Sequence, residues 1–251
     1  MSRLFLGIAI LIAARGGVVR ADDQSDATAI LDAAINAHGG EAALGKFVGY
    51  YGKDKATSDD NGTTSVTFYE SWFTPDKERT VTFDRDNVRT EIEVVTGAEG
   101  WTSTLDGSAE KMGAELLTSK QDMIYMSWVT TTFVPLKGKQ YTLSVLDETD
   151  VAGHKAVGIL VRREKHVPLK LYFDKETHLL AKLQCKVKDV EPGKTTEYDQ
   201  ECIFSDYRDL QGTKQPFKFE QILDGAKVGD YVIQELKLYD KPLDEKLFVK
   251  P

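Results

Sequence analysis

Cysteine and histidine are scarce in this sequence, with two Cys and four His among 251 residues. No CxxC pair or nearby HxxxH is present to complete a zinc site, and no G-x-S-x-G, P-loop or dinucleotide-binding motif occurs. The histidines His38, His154, His166 and His178 share no motif, so we interpret them as solvated turn residues. The sequence therefore predicts no metal, no cofactor and no enzymatic activity.

Long apolar runs are also lacking, apart from Leu4–Ala14 near the N-terminus. Arg3 precedes this run, and Val19-Arg20-Ala21 follows it as an A-x-A-like cleavage site. We interpret residues 1–21 as a signal peptide that is cleaved to release a periplasmic or secreted protein. No cysteine near that site offers a lipid anchor. An uncleaved membrane anchor is the alternative, because Arg15 and Arg20 place positive charges in the region just before the cleavage site.

Positive charge is not in excess, since 32 Lys and Arg face 40 Asp and Glu for a net charge of −8. Cleavage of the predicted signal peptide removes Arg3, Arg15 and Arg20. The mature chain then has 29 Lys and Arg against 40 Asp and Glu, and its net charge is −11. An acidic chain with dispersed charges argues against nucleic acid as a partner. No linker-like segment divides residues 22–251, so we predict a single domain, as a monomer.

Three helical segments are predicted. The first begins with Ser25 as its cap and ends at Gly39-Gly40, and a short second one covers Glu41–Lys46. The third, Gly113–Thr132, becomes apolar nearly all round toward its C-terminus, which predicts burial on two sides. We expect it to act as a lid whose Leu117, Ile124 and Trp128 face the sheet.

The rest of the chain alternates apolar and polar residues between turn signals, as strands do. Roughly ten or eleven sequential strands predict a mainly β (α+β) fold: an open, strongly curved antiparallel half-barrel, with helices covering its concave side. In the last strand the apolar parity shifts, which predicts a bulge near Gln234-Glu235. We also predict that Asp174 caps a turn and that Asp84–Asn87 forms a hairpin tip rather than a calcium loop.

The segment Leu179–Asp206 reads as a long β-hairpin around Pro192-Gly193-Lys194-Thr195. A turn centred on Gly193-Lys194 places Cys185 opposite Cys202. It also places Leu183 opposite Phe204, Lys186 opposite Glu201 and Lys188 opposite Asp199. We therefore predict a Cys185–Cys202 disulfide, suited to an exported protein; two buried free thiols are the alternative.

The layout resembles the LolA/LolB-like superfamily of outer-membrane lipoprotein-sorting proteins. The segments that carry the resemblance are LYFDKETHLLAKLQ (171–184), FSDYRDLQGTKQPFKFEQILDG (204–225) and LDEKLFVKP (243–251). These motifs encode turns and strand starts. The resemblance implies an eleven-stranded half-barrel with a helical lid over an apolar cavity, which in the best-understood members holds lipoprotein acyl chains. No short motif places a carrier's functional residue on this sequence.

Large apolar side chains at alternating positions are the candidates to line such a cavity, although packing in an ordinary core is the alternative for each of them. The candidates are Phe68, Trp72, Val81, Phe83, Trp101, Leu117, Ile124, Trp128, Leu169, Leu171 and Phe173.

The function predicted from these features is an exported carrier that holds lipid or a lipidated protein as cargo, without catalysis. An envelope protein is a further candidate partner. The alternative is a structural or interaction module of the cell envelope whose interior is filled by its own side chains. A hydrolase is disfavoured because no nucleophile–base pair is recognisable.

Overall fold

A computed structural model describes residues 21–60, 63–104 and 107–251. Its helices are α1 (Ala21–Ala37), α2 (Glu41–Leu44) and α3 (Ala114–Thr132), with short 3-10 turns at Val134–Lys137 and Glu245–Phe248. The strands are β1 (Gly49–Asp60), β2 (Thr63–Phe73), β3 (Lys77–Phe83), β4 (Arg89–Thr96), β5 (Glu99–Ser103), β6 (Ala109–Lys111), β7 (Tyr141–Val151), β8 (His154–Arg163), β9 (Leu169–Asp174), β10 (Leu180–Glu191), β11 (Lys194–Leu210), β12 (Thr213–Leu223) and β13 (Ala226–Tyr239).

All strands of the described residues belong to one antiparallel sheet with the order β6-β5-β4-β3-β2-β1-β13-β12-β11-β10-β9-β8-β7. The chain moves outward from β1 to one edge and then crosses to β7. From there it returns to the centre, where β13 pairs with β1. The sheet is not closed, which confirms the predicted mainly β, open half-barrel. It has 13 strands rather than ten or eleven.

Two helices cover the same face of the sheet, which is called the inner face below. Leu31 and Ile35 of α1 share one core with Val129 of α3, with Phe133 directly after that helix and with the inward side chain of Leu171. Farther along, Ile124 packs in a second inner cluster with Val95 and Met112. The prediction that helices cover the concave side is confirmed.

The outer face carries its own apolar cluster on β2–β5. Trp72, Val81, Phe83, Ile92, Val94 and Trp101 pack there with Leu243, Leu247 and Phe248 of the C-terminal segment. The segment is also tied down by polar contacts: Arg79 donates to the Leu247 carbonyl at 3.3 Å, and Lys77 pairs with Glu245 at 2.6 Å. The C-terminal residues therefore shield apolar surface that the sheet leaves on its convex side.

The predicted signal peptide lies outside the described residues, except that Ala21 begins α1. Because α1 starts at Ala21, Ser25 lies within the helix, and the prediction that Ser25 caps it is wrong. Helix α1 does end before Gly39, which has φ +120° and would place a Cβ 2.4 Å from the Gly212 carbonyl oxygen. In the described part of the chain, no helix combines the length and apolarity needed to cross a membrane.

Several local predictions are confirmed. Lys53 pairs with Glu235 and Asp54 with Ile233, so Gln234 is the extra residue of a bulge. The Asp174 carboxylate accepts hydrogen bonds from the backbone of Thr177 at 2.7 Å and Glu176 at 3.0 Å, and these bonds hold its pKa below the usual value despite partial burial. Asp84 accepts from the backbone N–H groups of Asp86 and Val88 at the hairpin tip.

The register predicted for the β10–β11 hairpin is wrong by two residues. Glu191 pairs with Lys194 across the two-residue turn Pro192-Gly193, so the turn is centred one residue earlier than expected. Cys185 therefore pairs with Gln200, and Cys202 with Leu183. Both cysteines are free thiols, and the predicted disulfide is not formed. A diagonal offset separates their Cα atoms by roughly 7 Å, more than a disulfide normally spans.

The charged pairs of the hairpin move with the register. Lys186 contacts Glu197 at 2.9 Å and Asp199 at 3.4 Å, while Glu201 is reached by Lys182 at 3.4 Å. A shift of two residues keeps each side chain on its face, so the apolar and the charged faces are both preserved.

We expect both thiols to resist alkylation in the native protein and to react fully after unfolding. Burial raises the pKa of Cys185 and of Cys202 to about 12, so little thiolate exists at neutral pH and little of it is accessible. The measurement is intact mass after iodoacetamide treatment with and without denaturant. A mass two hydrogens lighter that resists alkylation in denaturant would contradict free thiols.

His38 is not the solvated turn residue that the sequence suggested. Its side chain is 1% exposed, Nδ1 donates to the Ala34 carbonyl at 2.8 Å, and Nε2 accepts from Leu180 N–H at 3.4 Å. The ring also packs 4.6 Å from the Phe133 ring. Because burial outweighs the Ala34 hydrogen bond, the pKa of His38 falls from 6.5 to about 4.

We expect the neutral His38 side chain to make stability depend on pH. A lowered folded-state pKa means that its contribution is present above 6.5 and is lost as the pH falls toward 4, by up to about 3 kcal/mol. Urea unfolding of wild type and His38→Asn across this range measures the difference between the two curves. His154→Asn is the control, since His154 is 69% exposed. A constant difference between wild type and His38→Asn would contradict the assignment.

Candidate functional site

A cavity of about 440 Å³ lies between α3 and the inner face of the sheet. Strands β1–β4 contribute one wall, strands β10–β13 contribute the other, and α3 closes the space between them. The two walls meet where β1 pairs with β13, at the centre of the sheet. Met123 of α3 is 43% exposed and also lines the cavity, so it lies where the cavity reaches solvent.

The wall from β10–β13 is mainly apolar. Its central feature is Phe219, whose ring stacks on Tyr231 at 4.4 Å with 7° between the planes and lies 6.0 Å from Phe204. The other apolar side chains of this wall are Leu180, Leu183, Cys202, Pro216, Ile233 and Leu236, and the amides of Gln200, Gln215 and Gln221 lie among them. Phe204, Phe219 and Tyr231 are only partly buried, so this wall offers aromatic surface that the protein itself does not cover.

The wall from β1–β4 is polar. Ser71 and Thr80 are buried and hydrogen-bonded to each other at 2.9 Å, and Thr80 donates to Glu78 at 2.8 Å. Because the single Thr80 hydrogen goes to Glu78, Ser71 is the donor to Thr80. The same wall also includes Tyr50, Gly52, Asp54, Tyr69, Phe73 and Glu93.

One cation faces this polar wall from α3. Lys120 contacts Glu93 at 2.5 Å, and both side chains are mostly buried, at 20% and 17% exposure. Burial alone would lower the pKa of Lys120, but the negative charges of Glu93, Glu78 and Glu91 outweigh it and raise that pKa. The pair joins the lid helix to β4.

Two carboxyl groups of the polar wall have strongly raised pKa values. Burial raises the pKa of Asp54 from 3.8 to about 7, and nothing offsets it. The pKa of Glu78 rises from 4.5 to about 7 because burial outweighs the Lys120 charge and the Thr80 hydrogen bond. Both groups therefore change protonation close to neutral pH. No group of three or more potential ligands among the described residues could hold a metal ion.

A smaller cavity of about 240 Å³ lies between α3 and the β10–β11 hairpin. Met123 and Met126 line both cavities and separate them. Met126 is itself held by Cys185, whose Sγ lies 3.4 Å from the Met126 sulfur. Methionine side chains are adaptable, so the boundary between the two spaces can change shape.

None of the side chains that the sequence suggested lines either cavity. Trp72, Val81, Phe83 and Trp101 belong to the outer cluster under the C-terminal segment, and Phe68 pairs with Phe83 on β2–β3.

The remaining candidates are on the inner side of the sheet but belong to filled cores. Leu169, Leu171 and Phe173 pack under α1 and the end of α3. Leu117 and Ile124 pack with Val95 against the sheet, the direction predicted for them. Trp128 is 9% exposed and therefore buried.

Strand alternation explains the misplacement on β2 and β3. Trp72 and Val81 face outward, so the inward side chains are their neighbours Ser71 and Thr80, which are polar. The sequence shows that the large apolar residues share one face but not that this face is convex. Among the cavity residues, Phe204 was placed on the same face as Leu183, a partial signal for the apolar wall. No pattern singled out Asp54, Glu78 or Lys120.

No family model matches the chain, and no curated protein matches its sequence. Solved structures do match its fold. A protein domain from Vibrio parahaemolyticus described as outer membrane lipoprotein-sorting is 10% identical with a TM-score of 0.54. A LolA superfamily protein from Nitrosomonas europaea is 11% identical with a TM-score of 0.55. A DUF1329 family protein from Desulfovibrio piger is 11% identical with a TM-score of 0.59. Each match covers 89% of this chain and 97% of the other.

The fold is thus an open half-barrel with a helical lid, over nearly the whole described chain. It is the fold of the LolA superfamily and of outer-membrane lipoprotein-sorting domains, and the resemblance noted in the sequence is confirmed at the level of fold.

Proposed function

We propose that this protein is a carrier of the cell envelope that binds lipid or lipidated cargo in the cavity under α3 and performs no chemistry on it. The observation that carries the proposal is the cavity itself, with the partly exposed Phe204, Phe219 and Tyr231 on its apolar wall. The predicted signal peptide and the likeness to lipoprotein-sorting folds support an exported location.

The size and lining of the cavity suit a single chain rather than a large ligand. Its volume of about 440 Å³ falls within the ~300–1,000 Å³ usual for small-molecule sites. Each buried CH₂ contributes about 0.8 kcal/mol, so a chain of about ten carbons gains up to ~8 kcal/mol before ordering costs. That free energy is sufficient for reversible binding.

The alternative, an envelope module without a ligand, requires an interior filled by its own side chains. The part of the inner face under α1 meets that description, since the side chains there are buried. The space between α3 and β10–β13 does not, and this difference favours the carrier. An interaction with an envelope protein is compatible with both proposals.

The test is purification from an exported fraction, followed by native mass spectrometry, lipid extraction and displacement of a fluorescent fatty-acyl probe. We expect a co-purified lipid or a saturable probe signal with a stoichiometry of one. The absence of both would overturn the carrier and leave the ligand-free module.

A further inference from the structure

The cavity divides into an acidic and an apolar half, and this division bears on its ligand. Asp54 and Ile233 are direct neighbours across the β1–β13 pair, so the boundary runs along the centre of the sheet. On the β1–β4 side and the facing lid, the charged residues are Asp54, Glu78, Glu93 and Lys120. Three acids against one base leave this end negative when all are ionised.

One of these acids lacks a partner. Glu93 is paired with Lys120 at 2.5 Å, and Glu78 accepts from Thr80 at 2.8 Å. Asp54 makes no hydrogen bond or ion pair with any residue that the structure describes. Its carboxylate oxygens lie 3.7 Å from the position that a Cβ on Gly52 would take, so the glycine leaves the space beside the carboxylate open.

A carboxylate that is largely withdrawn from water and unpaired is unfavourable unless a cation or a donor meets it. The Tyr50 hydroxyl makes no hydrogen bond with the Asp54 carboxylate, and its polar neighbours are Ser127 and Thr131 of α3. Lys120 is held by Glu93. The cavity itself lies in front of the Asp54 carboxylate, so the missing partner would come from whatever occupies it.

We propose that the cavity selects amphiphiles whose polar end is a cation, such as a primary amine, placed at Asp54 while the chain lies on Phe204, Phe219 and Tyr231. This inference rests on the proposed function and specifies its ligand class. An ammonium group donates to the Asp54 carboxylate, and the buried site strengthens this charge-assisted hydrogen bond. Glu78 lies in register with Tyr50, four residues along β1 from Asp54 and two strands away, and it adds negative charge to the same half of the cavity. A carboxylate or phosphate at Asp54 meets a negative charge and is disfavoured.

The protonation of the wall adds a pH dependence to this selectivity. The titratable groups near Asp54 are Tyr50 on β1, Tyr69 on β2 and Tyr231 on β13, and those near Glu78 are Glu93 on β4 and Lys120 on α3. The tyrosines have raised pKa values through burial and stay neutral. Because the pKa values of Asp54 and Glu78 are both about 7, the attraction for a cation is present at higher pH and fades below neutrality.

The experiment measures the binding of dodecylamine, dodecanol and dodecanoate, each below its micelle concentration, to the mature protein by isothermal titration calorimetry. At about pH 8 we expect dodecylamine to bind at least about tenfold more tightly than dodecanol, and dodecanoate to bind more weakly than dodecanol. At about pH 5.5 the advantage of the amine over the alcohol should largely vanish.

Charge-removing variants test the named residues. Asp54→Asn should weaken dodecylamine binding about tenfold relative to dodecanol binding, and Glu78→Gln, which removes a more distant charge, should have a smaller effect of the same sign. Both variants should fold, because burial disfavours the charges that they remove. Glu70→Gln is the matched control: Glu70 lies on the outer face of β2, paired with Lys53 at 2.9 Å.

The outcomes separate the two proposals. Equal binding of dodecylamine and dodecanol, or an amine preference that survives in Asp54→Asn, would overturn the cationic selectivity and keep the carrier. If dodecylamine, dodecanol and dodecanoate all fail to bind, both proposals are overturned.

Discussion

Phe133→Ala should lower the free energy of unfolding by about 3–5 kcal/mol, the range found for deleting a large buried aromatic side chain. Phe133 is 1% exposed and joins three parts of the molecule. Its ring contacts His38 after α1 at 4.6 Å and Phe173 of β9 at 5.8 Å, while its N–H caps α3 through the Val129 carbonyl at 2.9 Å. Urea unfolding followed by far-UV circular dichroism measures the loss.

A backbone effect must be separated from this packing effect, because Phe133 has φ +56°. Alanine keeps the same unfavourable conformation, whereas Phe133→Gly relieves it by up to about 1 kcal/mol. We therefore expect the glycine variant to be no less stable than the alanine variant. Phe83→Ala, at a partly exposed outer-face site, should cost only about 1–2 kcal/mol. Equal losses at Phe133 and Phe83 would show that Phe133 does not link the helices to the sheet.

Phe219→Asp should weaken the binding of an acyl probe by about 100-fold or more, because a carboxylate would replace the central ring of the apolar wall. Phe219 stacks on Tyr231 and lies beside Phe204, so a bound chain would contact it directly. The measurement is the dissociation constant of a fluorescent fatty-acyl probe.

The fold should survive this change, since Phe219 is only partly buried and faces the cavity. Phe219→Leu is the matched control and should keep binding within a few-fold. Lys186→Ala, on the hairpin face exposed to solvent, should have no effect on the probe. Unchanged probe binding by folded Phe219→Asp would place the ligand elsewhere.

Local periodicity explains what was predictable from this sequence. The β-rich fold, the turn capped by Asp174 and the bulge at Gln234 are all short-range features. Each depends on a few neighbouring residues whose alternation or turn chemistry has one favourable backbone solution. The apolar C-terminal part of α3 could be predicted for the same reason, and burial of Ile124, Tyr125, Met126, Trp128 and Val129 covers more than one side of the helix.

The register of strand pairing could not be predicted, because the alternation of apolar and polar residues fits more than one register. Moving the hairpin turn by one residue shifts every cross-strand pair by two residues. Apolar side chains then still pair with apolar side chains, and charged side chains still face solvent. The sequence therefore determined which face Cys185 and Cys202 share, and only the tertiary structure decided that they are not opposite each other.

The same limit applies to the candidate site. Alternation on β2 and β3 determined that Trp72 and Val81 share a face, but the curvature of the sheet and the C-terminal segment decided that this face is the outer one. The cavity is therefore lined by Ser71, Glu78 and Thr80 on one side and by Phe219 on the other. Those residues meet only because β13 returns to pair with β1, a contact between residues far apart in sequence that no local pattern specifies.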